Sequence, residues 1–450
     1  MGGEQQVQVS HFLDEYGLGS FQIKLLVWSV LIGMIDGYDI GAAAFAAPHL
    51  IPAWHIAPAS LKWVLTASNF GVLFGSQIFG WVGDRYGRKA ALILCNLLFG
   101  VFTYWAAYST NLSELAWLRF LAGLGIGGVI PNVVAINAES APRRLRVTLA
   151  IFATALIPIG GALPGFVSAW LVPTYGWPIL FKIGGIFPII FAIAAIFGMP
   201  ESIKYMALHE SQRRKMEALI AAIRPTFNLS PNARFVIEDE QQSPSSNPIY
   251  LFDHGLAVIT PLSWLLFALN LMGFYFLFSW TPTLMAAARA SQETAALAGA
   301  MLQVGGTVGA LALVWWLQRA RWLAVAMLFL IAVPIVGSIG YAGLSSATAL
   351  LTATFFAGAV VLGIQAGING LGAMLYPTSL RANGSGWQLG IGRIGGIIGP
   401  LLGALFVGLP VPQLYMWSAV PFAIGAVVTF IVHMLNQERL RAHPQLAMAQ

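Results

Sequence analysis

GWVGDRYGRK, residues 80–89, stands between two apolar runs of helix length, 61–79 and 90–108. Four of its ten residues are charged: Asp84, Arg85, Arg88 and Lys89. Its glycines let the backbone turn sharply, so the flanking helices reverse direction within a few residues. A loop that only marked the positive side of a membrane would need the cations. It would need neither Asp84 nor this glycine spacing.

The composition places that loop in a polytopic membrane protein. Of 450 residues, 58% are hydrophobic and 9% charged, against about 25% charged in soluble domains. Spans need about 20 apolar residues. Twelve stretches qualify: about 25–51, 61–82, 90–108, 114–138, 148–172, 178–199, 256–286, 295–317, 323–343, 348–374, 385–408 and 414–435. With both termini in the cytoplasm, 18 of the 23 Lys and Arg fall on that side. Lys62, Lys182 and Arg289 remain outside, and Arg119 and Arg393 lie within spans. That asymmetry sets the orientation. The net charge of +6 therefore follows the membrane topology and does not point to nucleic acid. Cys95, the one cysteine, reads as a small buried hydrophobe. The first 23 residues have no basic start, apolar stretch and cleavage site, so the first span is expected to direct insertion.

These features predict an all-α membrane protein: twelve transmembrane helices in two six-helix halves, 1–200 and 256–450, joined by a cytoplasmic linker, 201–255. The linker is the only long polar stretch and includes the Ser/Pro-rich SPSSNP, residues 243–248. Its first part, 202–223, fits an amphipathic helix on the inner surface; the whole reads as a tether. A repeat supports the two halves. APRRLR (141–146) aligns with YPTSLR (376–381), and GGALPG (160–165) with GGIIGP (395–400). Both pairs are offset by 235 residues (376 − 141 and 395 − 160), which sets spans 4–5 opposite spans 10–11 in a parallel duplication. The copies differ in two places. VWWLQRARW (314–322) replaces the glycine-rich loop, and Arg393 falls opposite Pro158 (393 − 235).

A charge within a span costs on the order of 3 kcal/mol and needs a reason. Four require one: Asp36, Asp39, Arg119 and Arg393. At about 1.5 Å per residue, Asp39 and Arg119 lie roughly 21 and 22 Å from the inner edge. Asp36 and Arg393 sit near the midplane, and Asp36 and Asp39 share a helix face. No histidine falls in mid-span, so a proton crossing with a substrate must ride on an acid: Asp36, Asp39 or, at the inner end of span 4, Glu139. Depth pairs Asp39 with Arg119, so Asp36 and Asp39 are expected to carry the coupling together, Asp39 held by Arg119 and Asp36 the more readily protonated. A small anion would find a cation in Arg393 or Arg119, aromatic walls in GFYFLFSW (273–280), and polar groups in Gln303, Gln365, Asn369 and Gln388, with Tyr275 and Trp387 the first aromatics expected to touch it.

The loop 80–89 resembles, at every polar and glycine position, the major facilitator superfamily signature G-x-x-x-D-R-x-G-R-K. RFLAGLGIGG (119–128) is similar to the superfamily's second signature, in which the arginine is implicated in proton coupling. With DGYD (36–39) and GIGRIGG (390–396), the chain resembles the aromatic acid:proton symporter family over nearly its whole length. That resemblance implies import of a small benzoate- or hydroxybenzoate-like carboxylate with protons across a bacterial cytoplasmic (inner) membrane, with Asp36 and Asp39 in the family's essential acidic positions. The remaining alternative is a proton-driven exporter, or a porter for a dicarboxylate or sugar acid.

An enzyme would need a nucleophile–base pair or metal ligands, and no mid-span His, His-x-x-x-His or paired Cys is present to supply them. No G-x-x-x-x-G-K-[ST] is present, so an ion gradient is expected to supply the energy, with no cofactor. A monomer in contact with lipid is expected. Asp84, Arg85, Arg88 and Glu139 are expected to form an inner gate, with Arg88 reaching Glu139 and Asp84 docking on the start of span 11 near Ser385–Trp387, where the helix end favours an anion.

Overall fold

The computed structural model describes residues 6–223, 234–236, 248–253, 255–376 and 380–442. Helix dominates because a bilayer core offers backbone groups no water, and a helix satisfies them within itself. Eleven helices among the described residues are long and apolar enough to cross a membrane. Lys62–Tyr86 is the twelfth long one; it has 25 residues but carries Ser68, Asn69, Ser76, Gln77 and the loop charges. In order the spans are Ser20–Trp54 (span 1), Lys62–Tyr86 (2), Arg88–Ala106 (3), Leu112–Glu139 (4), Arg146–Thr154 with Ile157–Trp170 (5) and Pro178–Gly198 (6). The second half comprises Ile259–Ala287 (7), Gln292–Ala312 (8), Val314–Ser345 (9), Ala347–Met374 (10), Arg381–Phe406 (11) and Val411–Ser418 with Val420–Ala442 (12).

Local chemistry sets the ends. Asn111, Ser291 and Ser346 cap spans 4, 8 and 10, each accepting from the backbone N–H three residues on. Gly87, at φ 101°, makes the turn between spans 2 and 3 in a region that favours glycine. The corresponding place in the second half differs from the expected loop. Span 8 ends at Ala312, residues 314–320 are helical, and the chain breaks at Arg321, φ 47° and ψ −127°. VWWL contains no turn-forming residue, so the helix simply resumes.

The repeat is visible in the packing. Spans 2 and 4 pair as spans 8 and 10 do, and spans 1 and 5 as spans 7 and 11 do. Both kinds of pair bring backbones into contact, as small residues allow in membranes. A Cβ on Gly123 would strike the Ser68 carbonyl, and one on Gly358 (123 + 235) the Leu302 carbonyl. Gly160 and Gly395 (160 + 235) stand in the same relation to Met34 of span 1 and Ala268 of span 7. Residues 377–379 of the other repeat lie outside the described residues.

The linker is more than a tether. Ile203–Leu208 and Arg213–Ile223 pack Ile203, Met206, Met216 and Ile220 against Val9, Phe12 and Leu13 of the helix Val9–Tyr16. Gln6–Gln8 pairs in parallel with Arg234–Val236. The apolar face expected to lie on the membrane is thus covered by the N-terminal segment. Span 5 is interrupted between Thr154 and Ile157, where Pro158 offers no N–H to the carbonyl of Thr154.

The packing makes a testable contrast. Gly123→Leu forces spans 2 and 4 apart and should abolish monodisperse protein in detergent. Gly337→Ala, with open space around its added carbon, should leave the melting temperature unchanged or slightly raised, since glycine costs a helix roughly 0.5–1 kcal/mol relative to alanine. Size-exclusion profiles and thermal melts of the two variants check this.

Candidate functional site

Span 1 carries both acids into the bundle. Asp36, Asp39 and Arg119 are fully buried, and depth along the helices correctly matched two of them. Arg119 Nη1 donates to Asp39 Oδ1 at 2.9 Å and Nη2 to the Asp39 carbonyl at 3.0 Å. The guanidinium lies 5.8 Å from the Phe181 ring centroid, and Nη2 also reaches Ser68 Oγ at 3.4 Å. Thr103 of span 3 donates to the same Asp39 Oδ1 at 2.5 Å. Asp39 Oδ2 and Arg119 Nε have no partner.

Asp36 differs from its neighbour. Neither of its oxygens receives a hydrogen bond, and the charges that act on it are those of Asp39 and Arg393. Arg393 comes from the other half and donates from Nη1 to the Val72 carbonyl of span 2 at 3.0 Å. It thus crosses the seam between the halves. Tyr275 of span 7 lies within electrostatic range of both Asp36 and Arg393 and packs on Gly396. Span 11 runs unbroken through Arg393, while the matching span 5 is interrupted beside Pro158.

The halves meet through spans 1 and 7, 5 and 8, and 2 and 11. Asn69 Nδ2 donates to the Gly396 carbonyl at 2.9 Å. Outward of it, Phe45 meets Phe278 edge-on, ring centroids 6.2 Å apart, and Gly165 approaches Ala300. A recess beside this contact is lined by Arg119, Ser68, Asn69, Tyr275, Phe278 and Ser279, closed off by Ile40, Ala43 and Ala44.

Of the amides, Gln303 is buried against Gly161 across the seam. Gln365 accepts from Asn270 Nδ2 at 2.8 Å and donates to Asn369 Oδ1 at 3.1 Å. Gln388 instead packs on Gly372 within its own half and is 2% exposed. Trp387 is 43% exposed and stacks on Trp264 of span 7 at 5.9 Å. Sequence reading missed Thr103, Ser68, Asn69 and Asn270, while Phe278 and Ser279 lie within the run 273–280 that it had picked out. Only Asn270, a lone amide in the apolar start of span 7, gave a signal strong enough to find it.

On the face bearing residues 80–89, inner by the charge bias, Arg88 reaches Glu139 as expected, Nη2 to Oε1 at 2.8 Å. Glu139 Oε2 also accepts from Ser202 Oγ at 2.5 Å. Glu139 lies about 30 Å along span 4 from Arg119, so its contacts tie it to this face and not to the buried acids. Glu201 accepts from the backbone N–H groups of Lys89 and Ser202 at 3.1 and 2.8 Å. Burial pushes the Glu201 carboxyl up, while those donors hold it down. Asp84 does not sit on span 11. Its carboxylate is 67% exposed and pairs with Arg88 at 2.5 Å. Arg85 packs beside Trp81 and Tyr86, 5.5 and 5.8 Å from their rings. Among the described residues the hydrogen bonds between the halves include Asn69 to the Gly396 carbonyl and Arg393 to the Val72 carbonyl, and Asp84 takes part in neither.

The family model described as Major Facilitator Superfamily matches residues 29–334. The 4-hydroxybenzoate transporter PcaK of Pseudomonas aeruginosa is 36% identical over 408 residues, covering 90% of each chain. The benzoate transport protein of Acinetobacter baylyi is 30% identical over 440 residues, 95% of this chain and 93% of that one. The partially occluded inward-open xylose transporter XylE from E. coli superposes with a TM-score of 0.70 at 16% identity, covering 91% of this chain and 97% of that one. Fold, loop signature and relatives agree: the chain belongs to the major facilitator superfamily, among its aromatic acid transporters.

Proposed function

We propose that the protein imports a small aromatic carboxylate of the benzoate or hydroxybenzoate kind together with protons, by alternating access between its two halves. One observation carries the reading. Asp36, fully buried and without a hydrogen bond, faces the charge of Arg393 across the seam, and the chain's relatives are named for 4-hydroxybenzoate, benzoate and gallate. An ionised carboxylate so placed costs several kcal/mol, so Asp36 is the group in the seam best suited to hold a proton. Arg393 supplies a planar cation for a carboxylate, Tyr275 a flat wall, and the chain Asn270–Gln365–Asn369 polar partners for ring substituents. The protein is a multi-pass membrane transporter and not an enzyme; a monomer with cytoplasmic termini is the state proposed.

Uptake into proteoliposomes tests this directly. An inward proton gradient should drive accumulation of benzoate-like acids and leave aliphatic dicarboxylates and sugar acids outside; the opposite preference would favour the rival organic-anion reading. In the same assay Arg393→Ala should weaken binding of the aromatic acid at least tenfold, and Arg393→Lys should weaken it too, since lysine lacks the fork that matches a carboxylate. Wild-type affinity in Arg393→Ala would move the anchor to Arg119.

Asp36→Asn mimics the proton-loaded residue. It should abolish accumulation driven by the proton gradient while preserving counterflow of substrate. Asp39→Asn should impair both, because it strands Arg119 and costs about 3–5 kcal/mol of stability. Full gradient-driven accumulation by Asp36→Asn would remove it from the proton path and leave Asp39 as the one member of the pair that carries it.

When the inner face closes, Asp84 is proposed to leave Arg88 and dock at the start of span 11, near Ser385 and Trp387, latching the halves together. Asp84→Asn should reduce transport more than tenfold with membrane insertion unchanged. An Asp84–span 11 distance, read by spin labels, that stays constant when substrate is added from outside would count against the latch.

A further inference from the structure

Thr103 is fully buried in span 3. A helical threonine commonly turns its hydroxyl back to the carbonyl one turn earlier. This one donates to Asp39 Oδ1 at 2.5 Å, while Arg119 Nη1 lies 3.5 Å from the same hydroxyl. Its methyl fixes that orientation. Gly184 of span 6 comes so close that a Cβ there would lie 3.3 Å from Thr103 Cγ2 and 3.0 Å from the Tyr38 ring. Tyr38 is itself anchored by donating to the Leu180 carbonyl at 3.2 Å. Spans 3 and 6 thus aim one hydroxyl at one carboxylate oxygen.

The consequence is an asymmetric carboxylate. Oδ1 takes both Thr103 and Arg119; Oδ2 takes neither, although both oxygens are buried. The groups around Asp39 are few. Asp36 and Tyr38 share its helix, Arg119 faces it from span 4, and Thr103 faces it from span 3. Ser68 of span 2 and the Phe181 ring of span 6 lie against Arg119. Tyr275 and Arg393 act on Asp36, one turn away.

We propose that Thr103 is a positioning residue for proton coupling: its hydroxyl holds Asp39 Oδ1 on Arg119 and leaves Oδ2 as the oxygen that exchanges a proton when the pair opens. This rests on the reading that the Asp36–Asp39 pair couples transport to protons. With the hydroxyl in place, the ionised carboxylate keeps two donors on Oδ1. Without it, Arg119 alone holds the charge, and a substrate anion competing for Arg119 releases Asp39 more readily.

The test compares Thr103→Val, which keeps the shape and removes the hydroxyl, with Thr103→Ser, which keeps the hydroxyl. In proteoliposomes the pH of half-maximal uptake for Thr103→Val should move alkaline by about one unit, the size expected when a hydrogen bond to a charged carboxylate is lost. Thr103→Ser should stay at the wild-type value. An unmoved profile in Thr103→Val, or equal shifts in the two variants, would overturn the proposal and leave Thr103 a packing residue. If the valine variant does not assemble, the carboxyl stretch of Asp39 in infrared titrations of Thr103→Ser and Thr103→Ala reads the same contrast: a shift in the alanine variant alone is expected, and no difference between them refutes it. Asp39→Asn separates the layers. If it keeps gradient-driven accumulation, the coupling role of Asp39 fails; if it loses accumulation while Thr103→Val is unmoved, only the role of Thr103 fails.

Discussion

Four ionisable side chains must be housed in a layer that solvates none of them, and the two halves are arranged around the solution. Asp39 and Arg119 neutralise each other inside the first half, with Thr103 as a further donor. Such a pair gains little over apolar packing but is costly to break, because either partner alone is an uncompensated buried charge. It therefore fixes spans 1, 3 and 4 relative to one another. Asp36 and Arg393 are treated differently. They approach from opposite halves, and Arg393 donates to a backbone carbonyl while Asp36 receives nothing. An unsatisfied acid at a seam is a place where a proton or a substrate changes the balance between two arrangements.

Close helix packing makes that placement possible. Glycines at 123, 160, 358 and 395 let backbones touch within each half, so each half behaves as a packed unit. The seam has fewer such contacts and is joined by single bonds such as Asn69 to the Gly396 carbonyl. Rigid halves with a thin seam are what rocking motion requires. On the inner face, Arg88, Glu139, Ser202 and Glu201 bind the loop 80–89 to the linker helices. The linker helices are therefore held to the first half, and Asp84 is left exposed.

Much of this was legible in the chain. Span positions followed from hydropathy, and Asp39 and Arg119 were matched by depth alone, because a helix converts residue number into height. The Arg88–Glu139 contact followed from both residues ending spans on the same face. The linker was misjudged because its apolar residues find their partners at residues 9–13, too far away in sequence for a local pattern to reveal. Gln388 was read as cavity-lining, but the helix turn that carries it points at Gly372; periodicity gives a face without saying which neighbour that face meets. Hydropathy leaves 318–322 between spans 8 and 9, but residues 318–320 continue the helix because they contain no breaker, and the chain turns at Arg321.

The sequence by itself determined the class, the twelve spans, the duplication and the depth of every buried charge, since these depend on composition and on distance along a helix. Tertiary structure decided which atoms meet. It placed Thr103 and Arg119 on the same oxygen of Asp39, left both oxygens of Asp36 bare, and set Arg393 across the seam onto Val72. Those outcomes depend on the rotation of each helix about its axis and on its packing against neighbours remote in sequence, and neither quantity is encoded in any local run of residues.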